Sequence, residues 1–254
     1  MPNLFNFESN PDPYGVMGNP ISHSRSPHIH RLFAQQTNQS IIYDAIHVDV
    51  GGFQQAVGNF MANGGKGLNI TVPFKPQAFA LVDLLSESAQ LAAAVNTILL
   101  KPDGNLYGDN TDGIGLVRDL KDNYRIILSG KTILVLGAGG ATRGIIQPLL
   151  KAAVAEIIIV NRTLQKAMNI VAQFHSAVPE LSSHRLRAMA YSDLSEKTAF
   201  DIIINATSAS LANELPPLPS HLLYAPSCCY DMMYASTDTI FMQWSKRCGV
   251  TQVF

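Results

Sequence analysis

Short apolar runs alternate with helical patterns along the second half of the chain. Short unbroken apolar runs are typical of parallel strands covered on both faces. The strands predicted in this way are residues 132–136, 156–160, 200–205 and 227–231, with a short one near 187–190. Helices are predicted around residues 145–150, at 164–174 and at 237–248. The alternation indicates an α/β domain with a parallel sheet, in which Pro148 is expected to kink or shorten its helix.

The first half of the chain predicts a separate α/β unit. At residues 68–72, Leu68, Ile70 and Val72 alternate with Asn69 and Thr71, so that the apolar and the polar side chains point to opposite faces of a strand. The other elements predicted here are strands at 14–18 and 41–48, helices at 27–33 and 52–62, and a hairpin formed by 93–101 and 106–108.

The predicted boundary between the two units lies at a helix that opens near Asp112. This divides the chain into a first domain of residues 1–112 and a second domain of residues 113–236. The last predicted helix, in the segment 237–254, is expected to return to the first domain. The resulting fold class is a two-domain α/β protein.

Composition and charge exclude several classes of partner. The 254 residues carry 18 Lys and Arg against 19 Asp and Glu, for a net charge of −1, so no basic surface for nucleic acid is expected. No apolar run approaches the length of a membrane span, and the first residues do not resemble a signal peptide. The cysteines, Cys228, Cys229 and Cys248, form no disulfide pattern or metal motif. We therefore expect a cytoplasmic protein without a metal, acting on a small molecule.

A glycine-rich turn joins the strand 132–136 to the next helix. Free backbone N–H groups and the positive end of a helix dipole meet at such a turn, which suits a pyrophosphate. Gly137, Gly139 and Gly140 provide the glycines, although Thr142 occupies the place where a third small residue is expected. A tight turn without a ligand is the alternative interpretation.

The end of the following strand favours NADP as the cofactor. An NAD site has an acidic residue there for the ribose 2′-hydroxyl, whereas this chain has Asn161, Arg162 and Thr163. A guanidinium is suited to a phosphate, and Lys166, one helical turn further on, adds a second positive charge. The alternative is that Arg162 and Lys166 are solvated surface cations.

Polar residues at other strand ends are candidates for a substrate site. Lys75 follows the strand of Asn69 and Thr71 at a corner between strand and helix. Ser24 and Ser26 could hold a small polar ligand, or Ser26 could cap the helix that begins with Pro27. Asp112 could equally be a helix cap. Without further information, Lys75 and Asp112 suggest a structural salt bridge.

Eight stretches of the chain resemble the shikimate dehydrogenase family. They follow the family's order, and together they are specific although each one alone is weak. The matching stretches are residues 18–27, 65–75, 94–97, 108–113, 137–141, 161–163, 205–208 and 230–232.

The resemblance implies an N-terminal substrate domain, a Rossmann-type NADP-binding domain and the reversible NADPH-dependent reduction of 3-dehydroshikimate to shikimate, by a monomer or homodimer. It assigns catalysis to Lys75 and Asp112. The substrate-binding residues it implies are Ser24 and Ser26 for the carboxylate, with Asn69, Thr71, Asn96 and Tyr234 for the hydroxyls or carboxylate. The implied cofactor-binding residues are Gly137, Ala138, Gly139, Gly140, Ala141, Asn161, Arg162, Thr163, Lys166, Ala206, Thr207, Ser208 and Met232.

The chain departs from the family pattern at a few places. Members usually continue with an Asp-Gly-Leu-Gly-Met-Leu segment and a helix that carries a substrate-binding glutamine, whereas this sequence stops at Phe254. Lys166 stands where arginine is common, and Ser210 where glycine is common. Two alternatives follow: a dehydrogenase that also accepts quinate, which Ser24 and Ser26 mildly oppose because such relatives often have threonine there, or a catalytically impaired protein that binds NADP and a ring acid.

Overall fold

A computed structural model describes residues 11–196, 199–209, 214–224 and 227–254. The chain forms two compact units that divide between Asn110 and Thr111. The elements of the first unit are β1 (Asp12–Gly18), α1 (Ser26–Thr37), β2 (Ile41–His47), α2 (Phe53–Ala62), β3 (Gly67–Ile70), α3 (Lys75–Leu81), β4 (Leu84–Leu85), α4 (Glu87–Ala92), β5 (Thr97–Leu100) and β6 (Leu106–Asp109).

The first unit contains a mixed six-stranded sheet with the order β2-β1-β3-β5-β6-β4. Strand β1 is parallel to β2 and β3, and the predicted hairpin of β5 and β6 is confirmed as an antiparallel pair. Strand β5 begins at Thr97 rather than at residue 93, because Ala93 adopts a left-handed conformation (φ 46°) that ends α4. Asn96 therefore lies in the loop before the strand. The short elements β4 and α4 were not predicted.

The core of the first unit lies on one face of this sheet. The rings of Phe53 and Phe74 stack there with centroids 5.0 Å apart. Leu68 and Ile70 of β3 are buried in the same cluster, whereas Asn69 between them is only partly buried. The predicted alternation is thus confirmed within β3, and it leaves Asn69 on the opposite face.

The second unit is built around a six-stranded parallel sheet. Its strands have the order β12-β11-β10-β7-β8-β9, so the chain moves outward from β7 first to one side and then to the other. The elements are α5 (Asp112–Arg118), β7 (Thr132–Leu136), α6 (Gly140–Lys151), β8 (Glu156–Val160), α7 (Leu164–Ala177), β9 (Leu186–Met189), β10 (Ile202–Asn205), β11 (Cys228–Asp231), α8 (Ile240–Arg247) and β12 (Gln252–Val253). A π-helical turn spans Asp119–Asn123, and 3₁₀ turns span Tyr191–Glu196 and Ser220–Leu222.

The last helix belongs to the second unit, which corrects the expectation that the segment 237–254 returns to the first domain. Helix α8 packs beside β11 and β12, and its Phe241 and Trp244 lie in the same apolar cluster as Leu134 of β7. The apolar face of α8 is therefore satisfied by the parallel sheet. After the helix, the chain adds β12 to the edge of that sheet, parallel to β11.

Helices α5 and α6 meet backbone against backbone. A Cβ atom on Gly113 would lie 2.3 Å from the carbonyl oxygen of Gly144 and 2.6 Å from Cγ of Pro148. Because Pro148 has no N–H, it cannot make the helical hydrogen bond to the carbonyl of Gly144. Even so, α6 continues from Gly140 to Lys151, so the expected shortening does not occur. The close approach of α5 explains why position 113 requires glycine.

Alanine at position 113 is expected to destabilise the second unit. In the Gly113→Ala variant, the new methyl group would contact backbone atoms of α6, and such overpacking typically costs about 1–3 kcal/mol. Gly115 of the same helix is exposed and faces open space, so Gly115→Ala should be neutral or stabilising by up to about 1 kcal/mol. Denaturant unfolding of both variants measures the difference. Equal stabilities would contradict the close packing.

Candidate functional site

The loops that follow three neighbouring strands meet at the carboxyl edge of the second sheet. The N–H of Gly137, after β7, donates to the carbonyl of Val160 at the end of β8 (2.7 Å). On the other side, the N–H of Ala206, after β10, donates to the carbonyl of Leu136 (2.9 Å). The structure therefore brings together three groups of predicted cofactor residues. They are Gly137–Ala141, Asn161–Thr163 and Ala206–Ser208.

The glycine turn after β7 is shaped for a close approach of backbone. Gly137 has φ +101°, and a Cβ there would lie 2.9 Å from Cγ2 of Thr207. Helix α6 begins at Gly140, and no side chain caps its N-terminus at Gly139. Buried Thr142, the departure from the glycine pattern, donates its hydroxyl proton to the carbonyl of Gly137 (2.9 Å). This hydrogen bond stabilises the turn, and a small residue at position 142 would not provide it.

Arg162 and Lys166 are both exposed beside this turn's neighbouring strand, β8. Within the described part of the chain, no ion pair involves either side chain. The side chain of Asn161 donates to the carbonyl of Thr163 (2.9 Å), which closes the turn that carries Arg162. The two cations are therefore available to an external anion.

A buried polar cluster ties together the loops after β10 and β11. The oxygen Oδ1 of Asn205 accepts hydrogen bonds from the N–H and the hydroxyl of Thr207 (3.2 and 2.7 Å). The amide nitrogen of Asn205 donates to Asp231 (3.1 Å), whose other oxygen accepts from the hydroxyl of Thr239 (2.6 Å). The N–H of Met232 donates to the carbonyl of Asn205 (2.9 Å). Asn205 and Asp231 thus position two loops that carry predicted cofactor residues.

Sequence reasoning assigned no role to Asn205, Asp231 or Thr239. The first two stand in stretches that match the family, next to the residues that were selected. Each is the last residue of a strand that an apolar run predicted, β10 or β11. This position was the available signal that the residue has a role. A polar side chain that ends a buried strand needs a partner, and the partner here is the neighbouring strand's own terminal residue.

In the first unit, Ser24 and Ser26 follow β1. Helix α1 begins at Ser26, so this serine is the first helical residue and not the cap, as one interpretation had it. The capping position is Arg25, and the hydroxyl oxygen of Ser24 accepts a hydrogen bond from the N–H of Ser26 (3.3 Å). The hydroxyl of Ser26 is therefore not used by its own helix.

Thr71 and Lys75 lie just after β3. The N–H of Thr71 donates to the carbonyl of Met17 on β1 (3.0 Å), and a Cβ on Gly18 would lie only 2.4 Å from Cγ2 of Thr71. Lys75 is the first residue of α3, and its carbonyl accepts from the N–H of Val95 (3.0 Å). This bond ties the start of α3 to the loop that carries Asn96.

Asn69 and Asn96 are linked through the hydroxyl of Thr97. This hydroxyl accepts a hydrogen bond from the amide of Asn69 (3.3 Å) and donates to Oδ1 of Asn96 (2.9 Å). A cavity of about 470 Å³ opens on the same face of the sheet, and Asn69 and Thr97 line it together with Tyr43. The structure therefore groups these two asparagines on one polar surface of the first unit.

The remaining predicted residues, Asp112 and Tyr234, belong to the second unit. Asp112 is the first residue of α5, and no side chain caps that helix from the preceding position, Thr111. Tyr234 lies after β11 and is 59% exposed. The departure at Ser210 lies outside the described residues.

Metal clusters and membrane spans are both missing from the described ranges. No group of three or more His, Cys, Asp or Glu side chains there is arranged to hold a metal ion. No helix of those ranges is long and apolar enough to cross a membrane.

Comparisons with known proteins agree with this geometry. Residues 16–98 match the family model described as the shikimate dehydrogenase substrate binding domain, and residues 120–213 match the model described as shikimate / quinate 5-dehydrogenase. The NADP(+) shikimate dehydrogenase of Alkalilimnicola ehrlichii is 50% identical over 94% of this chain and 85% of its own length. The one of Cellvibrio japonicus is 49% identical over 94% of this chain and 83% of its own.

Solved structures show the same fold. An Ael1 enzyme from Pseudomonas putida is 42% identical, with a TM-score of 0.83 over 95% of this chain and 86% of that one. Shikimate 5-dehydrogenase from Thermus thermophilus, solved with NADP(H) and shikimate, is 30% identical, with a TM-score of 0.80 over 96% and 86% of the two chains. On the strength of its sequence relatives and its fold, the chain belongs to the shikimate dehydrogenase family.

Proposed function

We propose that the protein catalyses the reversible NADPH-dependent reduction of 3-dehydroshikimate to shikimate. The observation that carries the proposal is the exposed Arg162 at the end of β8, beside a glycine turn whose helix has no side-chain cap. The relatives that are half identical to this chain are named as NADP(+)-dependent shikimate dehydrogenases. The reaction adds a hydride to a ring ketone and a proton to its oxygen.

The edge of the parallel sheet fits the cofactor. Gly137 leaves the space that a Cβ would fill, and the N-terminus of α6 can donate its N–H groups to a pyrophosphate. Arg162 and Lys166 would hold the 2′-phosphate, with Thr163 beside them. The remaining contacts fall to the other loops of this edge, through Ala206, Thr207, Ser208 and Met232. When bound, NADPH supplies the hydride of the reaction.

The residues of the first unit are suited to a polyhydroxylated ring acid. We assign Ser24 and Ser26 to the substrate carboxylate, because hydroxyl groups donate hydrogen bonds to an anion without adding charge. Asn69, Thr71 and Asn96 offer amide and hydroxyl groups for the ring hydroxyls. Tyr234, from the loop after β11, is assigned to the same substrate.

Lys75 and Asp112 are proposed as the catalytic pair. Negative charge develops on the ketone oxygen during reduction, and the Lys75 ammonium stabilises this charge and donates the proton. We assign the Asp112 carboxylate to the same step, as the group that orients the ammonium. Each residue begins a helix, Lys75 in α3 and Asp112 in α5, so the backbone position of each is defined by its own unit.

We also propose that the protein acts in the cytoplasm, as a monomer or homodimer. The argument for the compartment is that Cys228, Cys229 and Cys248 are free thiols. The thiols of Cys228 and Cys229 are buried, and burial raises the pKa of each to about 12, which keeps both in the unreactive protonated form.

Replacing Lys75 tests the catalytic assignment. In Lys75→Ala, we expect kcat for shikimate oxidation to fall by about 100-fold or more, because one charge-stabilising donor contributes roughly 3–4 kcal/mol to the transition state. NADPH should bind as it does to the unchanged protein. The measurements are absorbance at the nicotinamide band and NADPH fluorescence titration. Lys66→Ala, at an exposed lysine of the same unit, serves as the control. Near-normal turnover of the Lys75 variant would remove lysine from the mechanism.

Replacing Arg162 tests the cofactor assignment. Hydrogen bonds to charged groups contribute about 1.5–3 kcal/mol, so the KM for NADP in Arg162→Ala should rise about 10- to 100-fold. The KM for NAD, which has no 2′-phosphate, should not change. Steady-state assays with each cofactor at saturating shikimate make the comparison. An equal loss with NAD and NADP would instead assign Arg162 a structural role.

A further inference from the structure

The first unit contains a chain of four hydrogen-bonded side chains that crosses its sheet. It runs from Tyr43 on β2 through Asn69 on β3 and Thr97 on β5 to Asn96. The two asparagines are assigned to the substrate above. They are linked to Tyr43 and Thr97, to which neither the sequence motifs nor the comparisons give a role.

Each bond of the chain has a direction. The phenol of Tyr43 donates to Oδ1 of Asn69 (2.6 Å). With its oxygen occupied, the Asn69 amide turns its nitrogen to the Thr97 hydroxyl (3.3 Å) and to the Asn96 carbonyl (3.5 Å). Thr97 in turn donates to Oδ1 of Asn96 (2.9 Å). An amide that could point either way is thereby held in one orientation.

The Tyr43 side chain is itself held in place. Its ring stacks on the imidazole of His30, with centroids 4.0 Å apart and planes 16° from parallel. His30 belongs to α1, so this helix supports the ring of Tyr43. Burial raises the pKa of Tyr43, so the phenol keeps its proton at neutral pH and remains a donor.

We propose that Tyr43 and Thr97 are positioning residues for the substrate site, which set the direction in which Asn69 and Asn96 present their amides. This inference rests on the proposed function, since it assigns the two asparagines to the ring hydroxyls. Neither Tyr43 nor Thr97 needs to touch the substrate. The Tyr43 hydroxyl engages Oδ1 of Asn69 and the Thr97 hydroxyl engages Oδ1 of Asn96, so that together they fix the orientation of both amides.

Variants that remove only a hydroxyl test the proposal. Tyr43→Phe keeps the ring on His30, and Thr97→Val keeps a β-branched residue in β5. We expect each to raise the KM for shikimate about three- to tenfold, with kcat changed less than about twofold, because one hydrogen bond that orients a binding group is lost. The KM for NADP and the Tm should not change. Thr97→Ser restores the hydroxyl and should return the KM to that of the unchanged protein.

Two controls separate positioning from a general effect on the fold. Ser40→Ala removes an exposed hydroxyl just before β2 of the same sheet, outside the cavity lined by Tyr43, Asn69 and Thr97, and should leave both constants unchanged. In the double variant Tyr43→Phe/Thr97→Val, the rise in KM should be smaller than the product of the single effects, since both act through Asn69. A product of independent effects would overturn the shared chain.

The outcomes also distinguish this proposal from the proposed function. If the unchanged protein does not oxidise shikimate with NADP, the proposed function fails. If it does so, and Tyr43→Phe and Thr97→Val match it in KM, only the positioning role fails. A loss of kcat with an unchanged KM would overturn the role in substrate binding.

Discussion

The close approach of the Gly137 turn to the loop after β10 is the constraint on which the second unit depends. A positive φ and the absence of a Cβ let the chain leave β7 directly against Thr207. From this point, hydrogen bonds run to both neighbouring strands, to Val160 on one side and, through Ala206, back to Leu136 on the other. A parallel sheet places all of its carboxyl ends at one edge, and the glycine turn keeps the centre of that edge open. An anion can approach the backbone there because Gly137 and Gly139 carry no side chains of their own.

In both units, a polar side chain at the end of a strand is hydrogen-bonded to a neighbouring loop. In the second unit, Asn205 and Asp231 bind each other and hold the loops beyond them. In the first unit, the Asp109 carboxylate accepts from Ser86 and Ser88 (2.5 and 2.7 Å), at the end of the β6 strand. Partial burial raises the pKa of Asp109, but these bonds outweigh it and hold the pKa below its usual value. The loops at the strand ends are thus fixed by hydrogen bonds rather than by apolar contacts.

The sequence was sufficient to predict those strands and helices whose pattern of buried positions is visible within a few consecutive residues. Apolar runs predicted β7, β8 and β10 because strands covered on both faces have no polar positions, and alternation predicted which face of β3 carries Asn69. The two-residue strand β4 and the six-residue helix α4 are too short to show a period. The predicted place of α8 was wrong because the apolar face of a helix indicates that this face is buried but not which sheet buries it. Phe241 and Trp244 pack in one cluster with residues more than a hundred positions away in the sequence.

The site residues likewise fall into those that the sequence alone predicts and those that it does not. Arg162 and the glycines were predictable because their chemistry is visible in the residue type and its position after a strand. Other residues act through hydrogen bonds to particular partners, namely Thr142, Asn205, Tyr43 and Thr97. The type of a common polar residue does not predict which partner it binds. Ser26 shows the limit most clearly. A serine before Pro27 suggests a cap, yet α1 begins one residue earlier, so Ser26 is the first helical residue and Arg25 takes the capping position.

The contact between Gly113 and α6 has a consequence for the residue before it. Main chain rests on main chain there, with no rotatable group between the helices to absorb a displacement. A displacement of α6, the helix whose first turn is proposed to bind the dinucleotide, therefore also displaces Asp112. The carboxylate and the phosphate-binding turn would move together as parts of one packed helix pair.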